Sequence, residues 1–298
     1  MLVKTYGSAV YGVDAHIITV ESNVAGQGVN FYMVGLPDNA VKESQLRIRA
    51  ALKNIGYSIP GKTITINMAP ADLRKEGSSY DLTIAVGILA ASGQIKAEEI
   101  SNYIIMGELS LDGGLQPIKG VLPIAIKARE AGFKGFFLPK QNAREAAIVD
   151  DLDVYGIENI QELIKFFDKG VPLEKTVVNT REEFYQQLND SDLDFSDVKG
   201  QENIKRAMEI AAAGGHNLLL IGPPGAGKTM LAKRLPSILP PLSLKEALET
   251  TKIHSVSGNL GSNTSLITMR PFRSPHHTIS DVALVGGGQM PQPGEISL

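Results

Sequence analysis

Residues 222–229 read Gly-Pro-Pro-Gly-Ala-Gly-Lys-Thr, and this segment restricts the fold of the chain more than any other. It satisfies the pattern G-x-x-x-x-G-K-[ST], in which a glycine-rich loop connects a strand to a helix. The flanking residues agree, because the apolar run 217–221 precedes the loop and a helix-like stretch, 228–235, follows it. The sequence therefore predicts a strand, a loop and a helix in this order.

A loop of this kind predicts a site for ATP with its Mg²⁺ ion. Its glycines let backbone N–H groups point inward as a nest for anions, and the helix N-terminus adds positive potential. We expect the ammonium group of Lys228 to reach the β- and γ-phosphates and the hydroxyl of Thr229 to bind the Mg²⁺ of Mg-ATP. The predicted binding residues of the loop are Gly222, Pro223, Pro224, Gly225, Ala226, Gly227, Lys228 and Thr229.

Composition and charge argue against several other classes of protein. The 298 residues are enough for two domains, and a net charge of −3 does not suit a wholly basic nucleic-acid binder. The absence of Cys excludes disulfides, thiolate catalysis and Cys-ligated zinc within these residues. No apolar run approaches the ~18 residues that span a bilayer, and the N-terminus lacks the apolar core of a signal peptide. We therefore expect a cytoplasmic protein without a membrane partner.

The chain changes character at about residue 194. Residues 1–193 carry 19 basic and 24 acidic side chains, whereas residues 194–298 carry 10 and 8, together with four of the five His. Hydrophobic periodicity in the first part predicts an α+β or an α/β fold. The predicted strands are 16–21, 30–34, 63–68, 103–106, 135–138 and 153–155, and the predicted helices are 38–55, 81–91, 121–131, 143–149 and 159–167. We expect a domain at 1–169, a linker at 170–193 with a short helix near Thr180, and a second domain at 194–298.

Several motifs resemble known proteins. The segments DVKGQ at 197–201, GHN at 215–217 and the glycine-rich loop together resemble an AAA+ ATPase. RPFRSPHHTISDVALVGGG at 270–288 is more specific, and it resembles the magnesium-chelatase-like AAA+ proteins of the YifB/ComM group, as do the segments 2–15, 31–44 and 67–87. The resemblance implies a self-assembling hexameric ATPase that uses ATP and Mg²⁺. It also implies that Val198 and Gly200 contact adenine.

The first part also resembles the Lon protease domain. KEGSS at 75–79 resembles the segment with Lon's nucleophilic serine, and Ser79 falls at the serine position. Residues 107–139 resemble the segment with the catalytic lysine, whose position falls within 122–124 and is apolar here. The resemblance implies a Lon-like α+β fold, also called ribosomal S5 domain 2-like, without peptidase activity, because a serine without a base is a weak nucleophile. A shift of register that would bring Lys119 to the lysine position stays open.

The resemblance fails in one respect after the loop. Members of the family continue into a Walker B strand ending in Asp-Glu, a sensor, an arginine finger and a helical lid. No apolar strand ending in adjacent acids follows Thr229, and the acids after it are Glu246, Glu249, Asp281 and Glu295. We therefore expect the first half of an AAA+ P-loop domain, truncated before Walker B, that binds ATP without hydrolysing it. The truncation would be natural, the result of a broken gene, or that of a fragment.

The segment 270–277 has four interpretations. Its basic, aromatic and imidazole side chains suit a nucleic-acid loop, in which phosphates meet cations and a base stacks on a ring. They also suit a contact between ring subunits or a β-hairpin that braces neighbouring loops, whereas two adjacent His are a poor metal signature. The candidates for nucleic-acid contact are Arg270, Phe272, Arg273, His276 and His277.

For the function, the resemblance implies an ATP-driven DNA motor that assists recombination of incoming DNA in natural transformation, with DNA as a partner. The first alternative is a chelatase-type ATPase that remodels a metal-inserting enzyme. The second alternative is a non-enzymatic interaction module, which the expected truncation would leave.

Overall fold

The structure is a computed structural model that describes residues 1–96, 98–187, 193–261, 264–288 and 291–298. The chain forms two compact units. The first comprises Met1–Val178, Lys252–Ser265 and Gly287–Pro293, and the second comprises Asn179–Thr251, Leu266–Gly286 and Gly294–Leu298. Part of the predicted linker, residues 188–192, lies outside the described residues, and the predicted domain limits at 169 and 194 stay predictions.

A seven-stranded sheet is the framework of the first unit. Its strands are β1 Leu2–Tyr11, β2 Asp14–Ala25, β3 Phe31–Val34, β4 Thr63–Ala69, β5 Tyr103–Ile105, β8 Gly135–Pro139 and β9 Asp153–Ile157, and a separate hairpin joins β6 Glu108–Leu109 to β7 Leu115–Gln116. The order across the sheet is β3-β4-β2-β1-β5-β8-β9. The β1–β2 and β2–β4 pairs are antiparallel and the other four are parallel, which confirms the predicted α/β class.

Among the described residues, five α-helices lie wholly within the first unit: α1 Asn39–Asn54, α2 Asp81–Ala91, α3 Val121–Glu130, α4 Ala143–Ala146 and α5 Ile160–Lys169. The carboxylate of Asp38 accepts the N–H of Val41 at 2.7 Å, so the predicted cap of α1 is confirmed. Every residue of α2 is buried, as its apolar sequence predicts. The predicted helix 143–149 is too long, because the N–H of Val149 bonds to the carbonyl of Ala146 and closes a turn.

The sheet is covered unevenly in its first half. In β4 the side chains of Ile64, Ile66 and Met68 are buried, whereas the residues between them are only half-buried. Helix α2 packs against β1 and β2. The remaining side chains of β4 therefore form an open face, as is common where antiparallel pairs meet solvent.

The second unit is mainly helical. It contains α6 Thr180–Gln187, α7 Glu202–Gly214, α8 Lys228–Arg234, the first part of α9 Leu244–Ser257 and α10 Asp281–Val285. Of two further two-residue strands, β10 Gly286–Gly287 begins at the last residue of the segment Leu266–Gly286 of this unit, and β11 Gln292–Pro293 belongs to the first unit. The short helix predicted near Thr180 is present as α6. None of the helices within the described ranges is long and apolar enough to cross a membrane.

The strand predicted at 217–221 is wrong. This segment forms no strand, and the side chains of Leu219 and Ile221 are 82% and 87% exposed. An extended segment becomes a strand only when a neighbour bonds to its N–H and C=O groups. No strand pairs with it in the part of the second unit that the structure describes.

Candidate nucleotide-binding site

Two glycines shape the loop between residues 222 and 227. Gly225 and Gly227 have φ angles of 82° and 80°, a left-handed conformation that side chains other than glycine rarely adopt. The N–H of Ala226 bonds to the carbonyl of Pro223 at 3.3 Å, which closes the turn before α8 begins at Lys228. The loop and the helix of the prediction are therefore present, although the strand before them is not.

The side chain of Lys228 folds back over the loop. Its Nζ donates to the carbonyl oxygens of Gly222 and Pro223, each at 2.7 Å. Carbonyl oxygens accept hydrogen bonds, as the oxygens of a phosphate do. The ammonium group of Lys228 therefore lies where it can donate to acceptors at the loop. Thr229 is exposed in the first turn of the same helix. Lys228 and Thr229 are thus the first two residues of α8, directly after the loop.

A small apolar core holds α8 in place. Leu231 is buried together with Phe195, Val198 and Met208. On the outside of the helix, Arg234 donates from Nε to the carbonyl of Asp194 at 3.0 Å, and it also pairs with Asp197. These contacts tie α8, the helix that follows the loop, to residues 194–198. The sequence analysis did not predict the contacts of Arg234 with Asp194 and Asp197. Their only signal in the sequence was the D-x-x-D capping pattern at 194–197.

Val198 and Gly200 lie differently from what their predicted role suggests. The side chain of Val198 is 2% exposed, since it belongs to the core below α8. Gly200 has a φ of 67°, and a Cβ built on it would meet no atom within 4 Å. A contact from Val198 to adenine would therefore use its backbone, and the predicted role of both residues stays a prediction.

Two of the four acids after Thr229 have structural partners. Glu246 accepts the N–H of Ser243 at 2.7 Å, and this bond holds the pKa of its carboxyl group below the ordinary value. Arg273 donates two bonds to Glu295, and they lower the pKa of that carboxyl group. Asp281 is the first residue of α10, and Glu249 lies within α9. None of the four acids ends a described strand.

The five candidates for nucleic-acid contact lie in one irregular segment of the second unit. The hairpin of the bracing interpretation is not formed at 270–277, because this segment contains no strand. Arg270 pairs with Glu246 at 3.7 Å and donates to the carbonyl of Pro240 at 2.8 Å. Arg273 pairs with Glu295 at 2.6 Å. Both guanidinium groups therefore brace neighbouring segments, as the structural interpretation expects.

The rings of this segment are more accessible. Phe272 is 40% exposed, and the rings of His276 and His277 lie 4.2 Å apart. Phe272, Arg273 and His276 are among the residues that line an open cavity of about 470 Å³. Within the described residues no group of three or more His, Asp or Glu could hold a metal ion. The rings of this segment are accessible to a partner, whereas Arg270 and Arg273 would first have to break their ion pairs.

The first unit contains a second cavity, of about 570 Å³, lined among others by Ser78, Ser79 and Lys119. The hydroxyl of Ser78 donates to the carboxylate of Glu108. Leu122 and Ile124, at the position where Lon has its lysine, are buried in α3. The first unit thus has an α/β fold and a cavity beside Ser79, and the residues at the position of Lon's catalytic lysine are apolar. The expected lack of peptidase activity stays a prediction.

Comparisons with known proteins agree with both parts of the chain. A family model described as magnesium chelatase, subunit ChlI, matches residues 194–298, and one described as subunit ChlI of Mg-chelatase matches residues 20–142. The class that the fold and the loop define is therefore that of ChlI-type proteins. The chain is also similar to Lon protease 2 of Bacillus subtilis, with 29% identity over 126 residues, 41% of this chain and 22% of that protein.

Two curated relatives match almost the whole chain. Competence protein ComM of Haemophilus influenzae is 44% identical over 299 residues, which cover 100% of this chain and 58% of the relative. Protein YifB of Salmonella typhimurium is 46% identical over 290 residues, 97% of this chain and 56% of the relative. The chain spans a little over half the length of these relatives. It belongs to the magnesium-chelatase-like ComM/YifB family.

Proposed function

We propose that the second unit binds Mg-ATP in the loop 222–229. The observation that carries the proposal is the position of the Lys228 ammonium group, which bonds to the carbonyls of Gly222 and Pro223 at the mouth of the loop. A triphosphate offers stronger acceptors than carbonyl groups, because its oxygens are charged. The match of residues 194–298 to a magnesium chelatase model supports the same assignment.

Each part of the loop has a role in this proposal. Gly225 and Gly227 allow the loop N–H groups to turn toward an anion. Lys228 binds the β- and γ-phosphates as a flexible cation, and the hydroxyl of Thr229 holds the Mg²⁺ ion. The ion, when bound, neutralises charge on the phosphates. Leu231 and Arg234 keep the helix in place while the loop binds.

Titration with a fluorescent ATP analogue and Mg²⁺ tests this assignment. Lys228→Ala should weaken binding by about tenfold or more, because a charge-assisted contact is lost. Lys233→Ala is the matched control, since Lys233 is exposed on the same helix. Equal affinity of Lys228→Ala and the parent would refute the phosphate site.

We further propose that this chain binds ATP with little or no turnover. Hydrolysis requires an acid that orients the attacking water near the γ-phosphate. Glu246 bonds to the N–H of Ser243 and Glu295 pairs with Arg273, whereas Asp281 and Glu249 lie in α10 and α9 and end no described strand. A phosphate-release assay with Lys228→Ala as the contamination control is the test. Multiple turnovers that depend on Lys228 would contradict the proposal and would point to one of these acids or to a neighbouring subunit.

For the longer proteins of the family we propose an ATP-driven DNA motor that acts in recombination in the cytoplasm as a hexameric ring. The name of one relative, competence protein ComM, supports this reading. Two ChlI-type matches favour the alternative, an ATPase that remodels a metal-inserting enzyme. ATPase measurements on the full-length relative decide between them. Stimulation by single-stranded DNA supports the motor, and stimulation only by a chelatase-type partner supports the alternative.

A further inference from the structure

The outer edge of β3 is open in the first unit. β3 pairs with β4 on one side, and it is the first strand in the sheet order, so no described strand bonds to its other side. Its side chains are also uncovered. Tyr32 and Val34 are 53% and 49% exposed, and Phe31 and Met33 are only half-buried. An edge of this kind presents unpaired N–H and C=O groups beside apolar side chains, which is a template for another strand.

At the opposite edge of the sheet the chain itself contacts β9. The N–H of Thr176 donates to the carbonyl of Val154 in β9 at 2.8 Å, and Lys175 pairs with Asp153 at 2.8 Å. A β3 strand of another copy that added to β9 would have to displace this segment. Pairing of β3 against β3 displaces no such segment, and it is a two-fold symmetric contact.

Charge favours a second copy over a foreign peptide at this edge. Residues 25–37 contain no charged side chain. Edge strands that must stay single usually carry Lys, Pro or a bulge, and the strand itself has none of these residues. An edge without charges has no group that would select an acidic or a basic peptide. Two copies of this edge can pair, because no like charges, which would destabilise the pair, are brought opposite each other.

We propose that two copies of this chain associate through antiparallel pairing of their β3 strands. A two-fold axis perpendicular to the sheet keeps the open faces on the same side, and in an antiparallel pair it passes midway between one residue and its own counterpart. An axis midway between the two Met33 residues puts Tyr32 of one copy opposite Val34 of the other, twice. This register covers both exposed side chains with aromatic–β-branched pairs, which are favourable across strands. The contact does not depend on the nucleotide site.

The test measures self-association of the full 298-residue chain by sedimentation velocity over a range of concentrations. We expect a monomer–dimer equilibrium that Val34→Lys weakens about tenfold or more, because each lysine replaces the β-branched partner of Tyr32 and puts a charge on the pairing edge. Val34→Thr keeps a β-branched, uncharged side chain and should weaken the association less than Val34→Lys does. Leu111→Lys is the matched control, since Leu111 is an exposed apolar residue of the same unit away from β3.

Cross-linking tests the register, because the chain has no cysteine of its own. Directly opposite residues of an antiparallel pair have Cα atoms about 4.5–5.5 Å apart, close enough for a disulfide or a short bis-maleimide. Met33→Cys should give a covalent dimer, and Leu111→Cys should not. A chain that stays monomeric without cross-linking at residue 33 overturns the proposal. So does an assembly that Val34→Lys leaves unchanged.

Discussion

Arg47 and Asp81 form a two-bond ion pair that joins α1 to α2. The Nε and Nη2 atoms of Arg47 lie 2.7 and 3.0 Å from the two carboxylate oxygens of Asp81, which is fully buried. Asp81 also accepts the N–H of Leu109 at 3.2 Å. Burial raises the pKa of Asp81 in spite of these partners, whereas the bond to Asp81 raises the pKa of Arg47. The carboxylate thus depends on the arginine to stay charged inside the unit.

Removing the arginine should therefore be costly. Arg47→Met leaves a buried charge with one backbone partner, and we expect a loss of about 3–5 kcal/mol in the free energy of unfolding, measured by urea denaturation. The double variant Arg47→Met/Asp81→Leu should lose less than Arg47→Met alone, because no charge then remains buried. Equal or greater loss in the double variant would mean that the pair acts through packing and not through charge.

Glu145 should make stability depend on pH. Its buried carboxylate accepts the N–H of Leu122 at 2.9 Å and the hydroxyl of Ser255, and burial raises its pKa above the ordinary 4.5. Because the pKa of Glu145 is higher in the folded protein than in the unfolded chain, this group adds to the free energy of unfolding at low pH. The contribution is complete below pH 4.5 and is lost as the pH rises through the pKa of the folded state. Glu145→Gln lacks this titration. The stability of Glu145→Gln relative to the parent, measured by denaturation, should increase from pH 4 upward, and a constant difference would contradict the argument.

The first unit should have no peptidase activity. Leu122 and Ile124 are buried and apolar at the position where a lysine base is needed. Incubation with casein should therefore give no cleavage above background. Cleavage that disappears in Ser79→Ala and in Lys119→Ala, but persists in the surface control Lys127→Ala, would show that Lys119 serves as the base.

The pair of Arg273 and Glu295 provides a test of the DNA interpretation. The two bonds between them, at 2.6 and 2.7 Å, occupy the guanidinium group. If the segment faces DNA, Glu295→Gln should tighten binding of a single-stranded oligonucleotide, because the arginine is released. Arg273→Ala should weaken binding and reduce the salt slope by about 1. Fluorescence anisotropy measures both, with Arg206→Ala as the control, and no effect of either variant would favour the bracing role.

The sequence by itself determined the elements whose signals are local. The cap at Asp38, the wholly apolar run of α2 and the alternation of β4 each lie within the element that they predict. The left-handed Gly225 and Gly227 likewise follow from the loop motif. Such elements depend on backbone preferences and periods of a few residues, which can be identified without knowledge of their neighbours.

The tertiary structure decided what depends on a distant partner. β1 was not predicted, and it is stable because ten residues pair with β2. The apolar run 217–221 has the composition of a strand, but it forms none, because its backbone groups have no neighbouring strand in the described part of the second unit. The Arg47–Asp81 pair links residues 34 positions apart. Pairing, burial of charge and free edges are properties of surfaces brought together by folding, and periodicity within one segment carries no information about them.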